Sequence, residues 1–181
     1  MGQYYNPILL DRKEYLYSHD YRNGLKLMEH SYIGNDFVNT VMNLIEKPEH
    51  LVWAGDYADD EELDSIYNKD KKEEINLYSL CDEEFTVIKP VFDLKDYKYI
   101  INHDKKEFVA LPIQDKDDEE YIIHPLPLLT CEGNGRGGGD FHNKDGKYDD
   151  YVGRWARDLI SSSNEDNDIL GLFEINPNFS E

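Results

Sequence analysis

The chain has 181 residues, of which 39% are hydrophobic and 13% aromatic, a composition that excludes disorder and predicts one globular domain spanning residues 1–181. Its 39 Asp and Glu against 19 Lys and Arg give a formal net charge of −20, which disfavours direct nucleic-acid binding and favours positively charged protein partners. No apolar run approaches the roughly 20 residues that span a bilayer. No signal peptide is evident either, so we expect a cytoplasmic protein without membrane contact. Cys81 and Cys131 are not in a CxxC spacing and predict two free, buried thiols.

The first third of the chain predicts strands on either side of one helix. The segments QYYNPILLD and KEYLY are rich in Tyr and aliphatic residues and predict two short strands, and NGLKLMEHSY predicts a helical turn. In GNDFVNTVMNLIEKP the apolar residues recur every three or four positions, Asn35 or Asp36 can cap the start, and Pro48 prevents continuation. This pattern predicts the principal amphipathic helix, over about residues 35–46. The segment HLVWAGDYA then predicts a buried strand that ends in a turn at Gly55.

The rest of the chain predicts mainly β-structure. Residues 97–101 and 107–111 alternate around a polar turn and predict a β-hairpin. In YIIHPLPLL we expect Pro125 and Pro127 to exclude a helix, which leaves an extended segment. YVGRWARDLISSS fits a short helix or a strand, and we favour the strand, while GLFEINPNF predicts an edge strand. Together these elements predict an α+β fold, with a mainly antiparallel sheet and one principal helix on one face.

Five of the chain's 12 glycines fall within residues 133–139, in the stretch CEGNGRGGGDF. Gly133, Gly135 and Gly138 satisfy the pattern G-x-G-x-x-G, but no helix is predicted to follow and no Gly-Lys-Ser/Thr is present. Neither a Rossmann nor a P-loop nucleotide site is therefore predicted. Consecutive glycines can instead direct their amides to one anion, or they can allow a tight backbone crossing.

The anion-binding alternative predicts a specific set of ligand-binding residues. Arginine donates two parallel hydrogen bonds to a phosphate, so arginines near the glycines would complete such a site. Under this alternative the ligand-binding residues are Gly135, Arg136, Gly137, Gly138, Gly139 and Arg154, and Arg157 can join them.

The six histidines show no pattern of a metal site. None belongs to HxH, HExxH or a Cys/His set at zinc spacing, and DFHNKDGKYDD does not match a calcium-binding loop, so no metal and no cofactor is predicted. If the protein is an enzyme, His19, Asp56 and His124 are the candidate catalytic residues, because histidine and carboxylate groups act as general acids and bases.

Two acidic runs form predicted surface loops, near residues 56–76 and 114–120. Such runs usually keep a surface solvated. Carboxylates spaced like phosphates can also occupy the basic groove of a nucleic-acid-binding protein. Under this second interpretation the partner-binding residues are Asp59, Asp60, Glu61, Glu62, Asp117, Asp118 and Glu119.

Several blocks of the sequence occur together in a known set of proteins. The blocks are YSHDYRNGLKLMEHSYIGNDFVN, VWAGDYAD, YIINHDKKEFV, HPLPLLTCEGNGRGGGDF and VGRWARDLIS. They resemble a set of uncharacterised bacterial and phage proteins, and the resemblance implies a single domain in a bacterial or phage setting, without an assigned activity.

Two functions follow as hypotheses from these patterns. The first is a non-catalytic acidic interaction protein, a phage or mobile-element inhibitor that binds the basic surface of a host nucleic-acid-binding protein. The second is a binder or enzyme for a phosphorylated ligand such as a nucleotide, held by the glycines and Arg136.

Overall fold

The computed structural model describes residues 2–61, 75–91, 93–111, 121–143, 146, 150–177 and 179. Within these residues the chain forms nine strands and four α-helices, organised around one large and mostly antiparallel sheet. The mixed α and β content and the mostly antiparallel sheet confirm the coarser part of the predicted fold class. The predicted partner-binding residues Glu62, Asp117, Asp118 and Glu119 lie outside the described residues.

The strands run through most of the chain. They are β1 (Tyr5–Leu9), β2 (Glu14–Tyr15), β3 (Glu49–Gly55), β4 (Thr86–Val87), β5 (Tyr99–Asn102), β6 (Glu107–Ala110), β7 (Cys131–Glu132), β8 (Leu159–Ser163) and β9 (Phe173–Glu174). Their order in the sheet is β4-β2-β1-β3-β8-β5-β6-β9, and β7 pairs with β3 beside this path. The β2–β4, β3–β7 and β6–β9 pairs are parallel and the others antiparallel. The predicted hairpin is therefore confirmed as β5–β6, and the predicted edge strand as β9.

The helices are α1 (Leu27–His30), α2 (Asp36–Leu44), α3 (Leu77–Glu84) and α4 (Pro125–Thr130). Of the two candidate caps for α2, Asn35 is the one used: its side chain accepts hydrogen bonds from the amides of Phe37 at 2.9 Å and Val38 at 3.4 Å. α2 is the helix predicted over residues 35–46. The expectation of one principal helix is not confirmed, because α3 has eight residues against the nine of α2. None of the described helices is both long enough and apolar enough to cross a membrane.

α4 contradicts the expectation that Pro125 and Pro127 exclude a helix. Both prolines lie in its first turn, where backbone amides have no acceptor within the helix. A proline there loses no helical hydrogen bond, and its fixed φ suits the start of a helix. The ring of His124 caps this turn by accepting from the amide of Leu126 at 3.2 Å. The extended structure predicted for this segment is therefore wrong from residue 125 to residue 130.

β3 is the centre of the fold, because apolar side chains cover both of its faces. Leu51 and Trp53 belong to the larger core, with side chains from α2 and α4. Val52 and Ala54 point to the opposite face and pack with side chains from α3. Cys81 and Cys131 are both free and buried, one in each core, and burial raises the pKa of each thiol to about 12. β3 is thus fixed from two sides, and the backbone at its carboxyl end is held in a defined place.

Candidate functional site

A pocket of about 500 Å³ lies at the carboxyl end of β3, where three segments of the chain meet. β7 runs parallel to β3, with Trp53 opposite Cys131 and Ala54 opposite Glu132, so both strands end at the same edge. The turn that precedes β8 supplies the third segment. The pocket is lined by Ala58, Asp59, Asp60, Glu61, Glu132, Gly133, Arg136 and Arg157. It joins two predicted sets, the acidic run after β3 and the arginine among the glycines.

Arg157 is shared by two carboxylates of the pocket. Its guanidinium donates to both oxygens of Glu132, at 2.6 and 2.9 Å, and to both oxygens of Glu61, at 2.5 and 3.2 Å. Burial opposes the charge of Arg157, but hydrogen bonds to Glu132 and Glu61 outweigh burial and raise its pKa. Its backbone has a φ of +67°, a left-handed conformation that costs about 1 kcal/mol or more in a residue other than glycine. The fold therefore accepts backbone strain where the guanidinium reaches two carboxylates.

Arg136 is the second cation of the pocket and is exposed. Its guanidinium donates to the backbone carbonyl of Tyr57 at 2.9 Å and to a carboxylate oxygen of Asp59 at 2.8 Å. The hydrogen bond from Arg136 lowers the pKa of Asp59. Asp60 has no ion pair with any cation of the described residues. Arg136 and Asp59, predicted for two different kinds of site, are thus partners of each other.

The glycine loop, residues 133–139, does direct its amides to one anion, and that anion belongs to the chain itself. One carboxylate oxygen of Asp140 accepts from the amides of Gly135 at 2.8 Å, Arg136 at 3.0 Å and Gly137 at 2.9 Å. The other oxygen accepts from the hydroxyl of Tyr5 at 3.0 Å. Asp140 is 5% exposed and Tyr5 is fully buried. An external anion at these amides would have to displace Asp140.

Three glycines of the loop, Gly137 among them, also allow close packing. The carbonyl of Gly138 accepts from the amide of Gln3 at 3.1 Å, and that of Gly139 accepts from the amide of Met28 at 3.0 Å. A Cβ atom on Gly137 would lie 2.4 Å from the Cβ of Gln3, a distance that no side chain allows. The two alternatives for this loop, an amide nest and a tight crossing, therefore occur in adjacent residues.

Arg154 does not line the pocket. Its guanidinium pairs with Glu107 of β6, which also accepts from the indole of Trp155 at 2.8 Å. Burial opposes ionisation of Glu107, but the hydrogen bonds from Arg154 and Trp155 outweigh it and lower the pKa of that carboxyl. Arg154 therefore supports the packing of β6 against the turn before β8.

The candidate catalytic residues lie in three separate environments. His19 is exposed and contacts the ring of Tyr17. Asp56 accepts from the amide of Tyr4 at 2.9 Å, and burial raises its pKa. His124 is buried as the cap of α4, and burial lowers its pKa to about 3. Within the described part of the chain, no hydrogen bond, ion pair or ring contact joins any two of these three residues.

Glu132 and Asp140 are site residues that the sequence pattern did not single out. Both lie inside CEGNGRGGGDF, one before the glycines and one after them. A carboxylate next to a run of glycines can accept hydrogen bonds from their amides. The position of Asp140 directly after the glycines therefore indicates its role. Glu132 has no such local signal, since its partner Arg157 is 25 residues away in the chain.

Comparisons of the chain with protein-family models, with curated proteins and with solved structures found no match. What the pocket can bind is therefore inferred from its residues and their geometry. Among the described residues, no group of three or more His, Cys, Asp or Glu side chains is arranged to hold a metal ion. The described residues that line the pocket carry four carboxylates and two guanidinium groups, and both guanidinium groups are already paired. Such an arrangement can accept an additional cation.

Proposed function

We propose that the protein is a non-catalytic acidic interaction protein that binds the basic surface of a partner protein. The observation that carries this proposal is the composition of the pocket. Its carboxylates outnumber its guanidinium groups by four to two, in a chain whose net charge is −20. The resemblance to uncharacterised bacterial and phage proteins supports a bacterial or phage setting and indicates no particular partner. We infer that the protein is a phage or mobile-element inhibitor, in the bacterial cytoplasm, of a host defence protein that handles nucleic acid.

The internal pairs of the pocket leave negative charge for a partner. Counted over the described lining residues, Arg157 and Arg136 offset two of the four carboxylate charges, which leaves a formal charge of −2. Asp59 and Asp60 are both exposed at its rim, where a lysine or arginine of a partner can reach them. Charges at a rim mainly raise the association rate and make it sensitive to salt. The whole-chain charge adds long-range attraction to the same partner.

The alternative function, binding of a phosphorylated ligand, has less support from the same contacts. The three amides suited to a phosphate already donate to Asp140. Both arginines of the pocket donate to carboxylates. A phosphate would have to replace these acceptors, whereas a cationic side chain needs no displacement.

The test is a pull-down from a host lysate with the full chain as bait, at low and at high salt. We expect a basic protein that is retained at low salt and released at high salt, and that added duplex DNA displaces from the bait. Recovery of no salt-sensitive basic protein would reject the proposal. Thermal shifts with nucleotides and phosphosugars test the alternative, which requires a ligand that raises the melting temperature.

A pair of variants then locates the contact. Asp59→Asn with Asp60→Asn removes two negative charges at the pocket. The matched control, Asp20→Asn with Glu46→Gln, removes two exposed carboxylates that pair with Lys89 and Lys95 elsewhere on the surface. We expect the pocket variant to weaken binding by about tenfold, or 1.4 kcal/mol, relative to the control. Equal weakening by both variants would mean that net charge acts without the pocket.

A further inference from the structure

Two large apolar side chains that are three positions apart in the sequence are exposed near the end of the chain. Leu170 is 74% exposed and Phe173 is 70% exposed, although neighbouring Ile175 is 5% exposed. A 3-10 turn, Asp166–Ile169, precedes them, and Phe173 is the first residue of β9. We call residues 165–174 the C-terminal edge. Large apolar side chains with this exposure, one of them on the last strand of the sheet, are typical of contact surfaces.

No described strand pairs with the outer side of β9. β9 is the last strand in the sheet order and pairs only with β6 among the described strands. The amides of Phe173 and Ile175 both donate towards β6, to the carbonyls of Lys106 and Phe108, each at 2.9 Å. Because alternate residues of a strand bond to the same neighbour, the amide and carbonyl of Glu174 face the open side. An open edge with apolar side chains can accept one more strand.

The negative charge of the edge indicates which kind of partner strand it would bind. Its carboxylates are Glu165, Asp166, Asp168 and Glu174, and residues 158–181 contain no lysine or arginine. Two lysines from adjacent segments approach it: Lys98, 3.7 Å from a carboxylate oxygen of Asp166, and Lys106, whose carbonyl bonds to β9. Among the residues that the structure describes, four carboxylates against two lysines leave the edge negative. A second copy of the chain would bring the same carboxylates and a further net charge of −20 to the contact, so a basic partner is favoured over self-association.

We propose that the C-terminal edge binds an extended segment of a partner protein in which apolar side chains alternate with lysine or arginine. The segment pairs with β9 through Glu174, its apolar side chains pack on Leu170 and Phe173, and its cations contact the flanking carboxylates. This surface shares no residue with the pocket. It deepens the proposed function, on which it rests, by naming a second contact for the same basic partner.

The experiment uses the full chain and a fluorescent peptide in which lysine alternates with valine, with a glutamate–valine peptide as the negative probe. Fluorescence anisotropy at low and high salt should show binding of the lysine peptide alone. Leu170→Ser with Phe173→Ser should weaken binding by about tenfold or more. Tyr121→Ser, at a side chain that is 82% exposed elsewhere, should leave binding unchanged. Since all three side chains are exposed, the variants should keep the parent unfolding midpoint.

A second pair of variants tests backbone pairing. Glu174→Pro removes the amide that faces the open side, without touching the bonds to β6. Glu174→Gln removes the same charge and keeps the amide. We expect Glu174→Pro to weaken peptide binding about tenfold more than Glu174→Gln does. Equal binding by the two variants would overturn strand addition.

Other results would also overturn the inference. One is a lysine peptide that does not bind, or that binds equally to the parent and to the Leu170 and Phe173 variant. Another is a dimer in sedimentation that Phe173→Ser dissociates, which would assign the edge to a second copy. If the lysate partner still binds the parent while the peptide test fails, only this inference fails. Peptide binding without any salt-sensitive lysate partner would instead reject the proposed function.

Discussion

Asp140→Ala removes the acceptor at the centre of the glycine loop, and its effect on stability can be worked out from the contacts. A hydrogen bond to a charged group contributes about 1.5–3 kcal/mol, and the Asp140 carboxylate accepts three amides and one hydroxyl. Gly135 and Arg136 are exposed, so water can solvate their amides after the change. The Tyr5 hydroxyl is fully buried, and losing its acceptor costs about 1–3 kcal/mol. We therefore expect the free energy of unfolding to fall by about 3–5 kcal/mol in total.

Urea unfolding measures this change, with Asp59→Ala as the matched control. Asp59→Ala also removes one negative charge, but its ion pair with Arg136 is exposed to solvent and contributes little to stability. A general relief of charge repulsion would affect both variants equally. The reasoning is refuted if Asp140→Ala is no less stable than Asp59→Ala, because the carboxylate would then not hold the loop.

The same variant should also gain affinity for an added anion. Without Asp140, the amides of Gly135, Arg136 and Gly137 form an empty nest that suits phosphate or sulfate. An anion at 100 times its dissociation constant would restore about 2.7 kcal/mol. We expect phosphate to stabilise Asp140→Ala more than it stabilises the parent, at ionic strength matched with sodium chloride. Equal stabilisation of both proteins would show that the nest does not accept an external anion.

Three further predictions concern buried groups. Burial lowers the pKa of His30 to about 4 and that of His124 to about 3, so the stability that each neutral ring contributes is lost as the pH falls from 6.5 towards those values. His124→Asn, which keeps a cap acceptor, should flatten the dependence of unfolding free energy on pH between about 6.5 and 4, and an unchanged slope would contradict this. The buried amide of Gln3 has no hydrogen-bond partner among the described residues, so Gln3→Met should raise the unfolding free energy by about 1–2 kcal/mol, whereas a decrease would show that the amide is satisfied. A lysine at position 157 cannot maintain the two bidentate pairs of Arg157. Arg157→Lys should therefore lower the free energy of unfolding by about 3 kcal/mol, clearly more than Arg136→Lys does in the same urea assay.

The parts of the fold that the sequence predicts are those with local signals. α2 has apolar residues at helical spacing and Asn35 as its cap, and the β5–β6 hairpin has a short polar turn. The prediction for α4 is wrong because proline excludes a helix only beyond its first turn, and Pro125 occupies the first helical position, where proline is favoured. The apolar residues of α3 all lie in its first five positions, and its helix depends on packing Leu77 and Leu80 against the second core. α3 is therefore stabilised by tertiary packing, which a local sequence pattern does not indicate.

The candidate site also has one part that the local sequence indicates and one part that depends on the whole fold. The amide nest is local, since its donors and its acceptor Asp140 lie within six consecutive residues. The pocket is not local, because Glu61 and Glu132 meet Arg157 only through the pairing of β3 with β7 and with β8. Strand register of this kind depends on the whole sheet. The arginine and the acidic run could be identified as unusual, but not as neighbours.

The arginines provide the strongest argument between the two functions. Four of the five pair with carboxylates of the chain: Arg12 with Glu14 and Glu49, Arg136 with Asp59, Arg154 with Glu107, and Arg157 with Glu61 and Glu132. A protein that binds phosphate keeps guanidinium groups available for bidentate contacts. Here those groups are committed to internal carboxylates, while 20 negative charges remain uncompensated over the chain. The internal pairs thus fix the backbone around the pocket and leave carboxylates as the groups that a partner can meet, which favours a cationic protein over an anionic ligand.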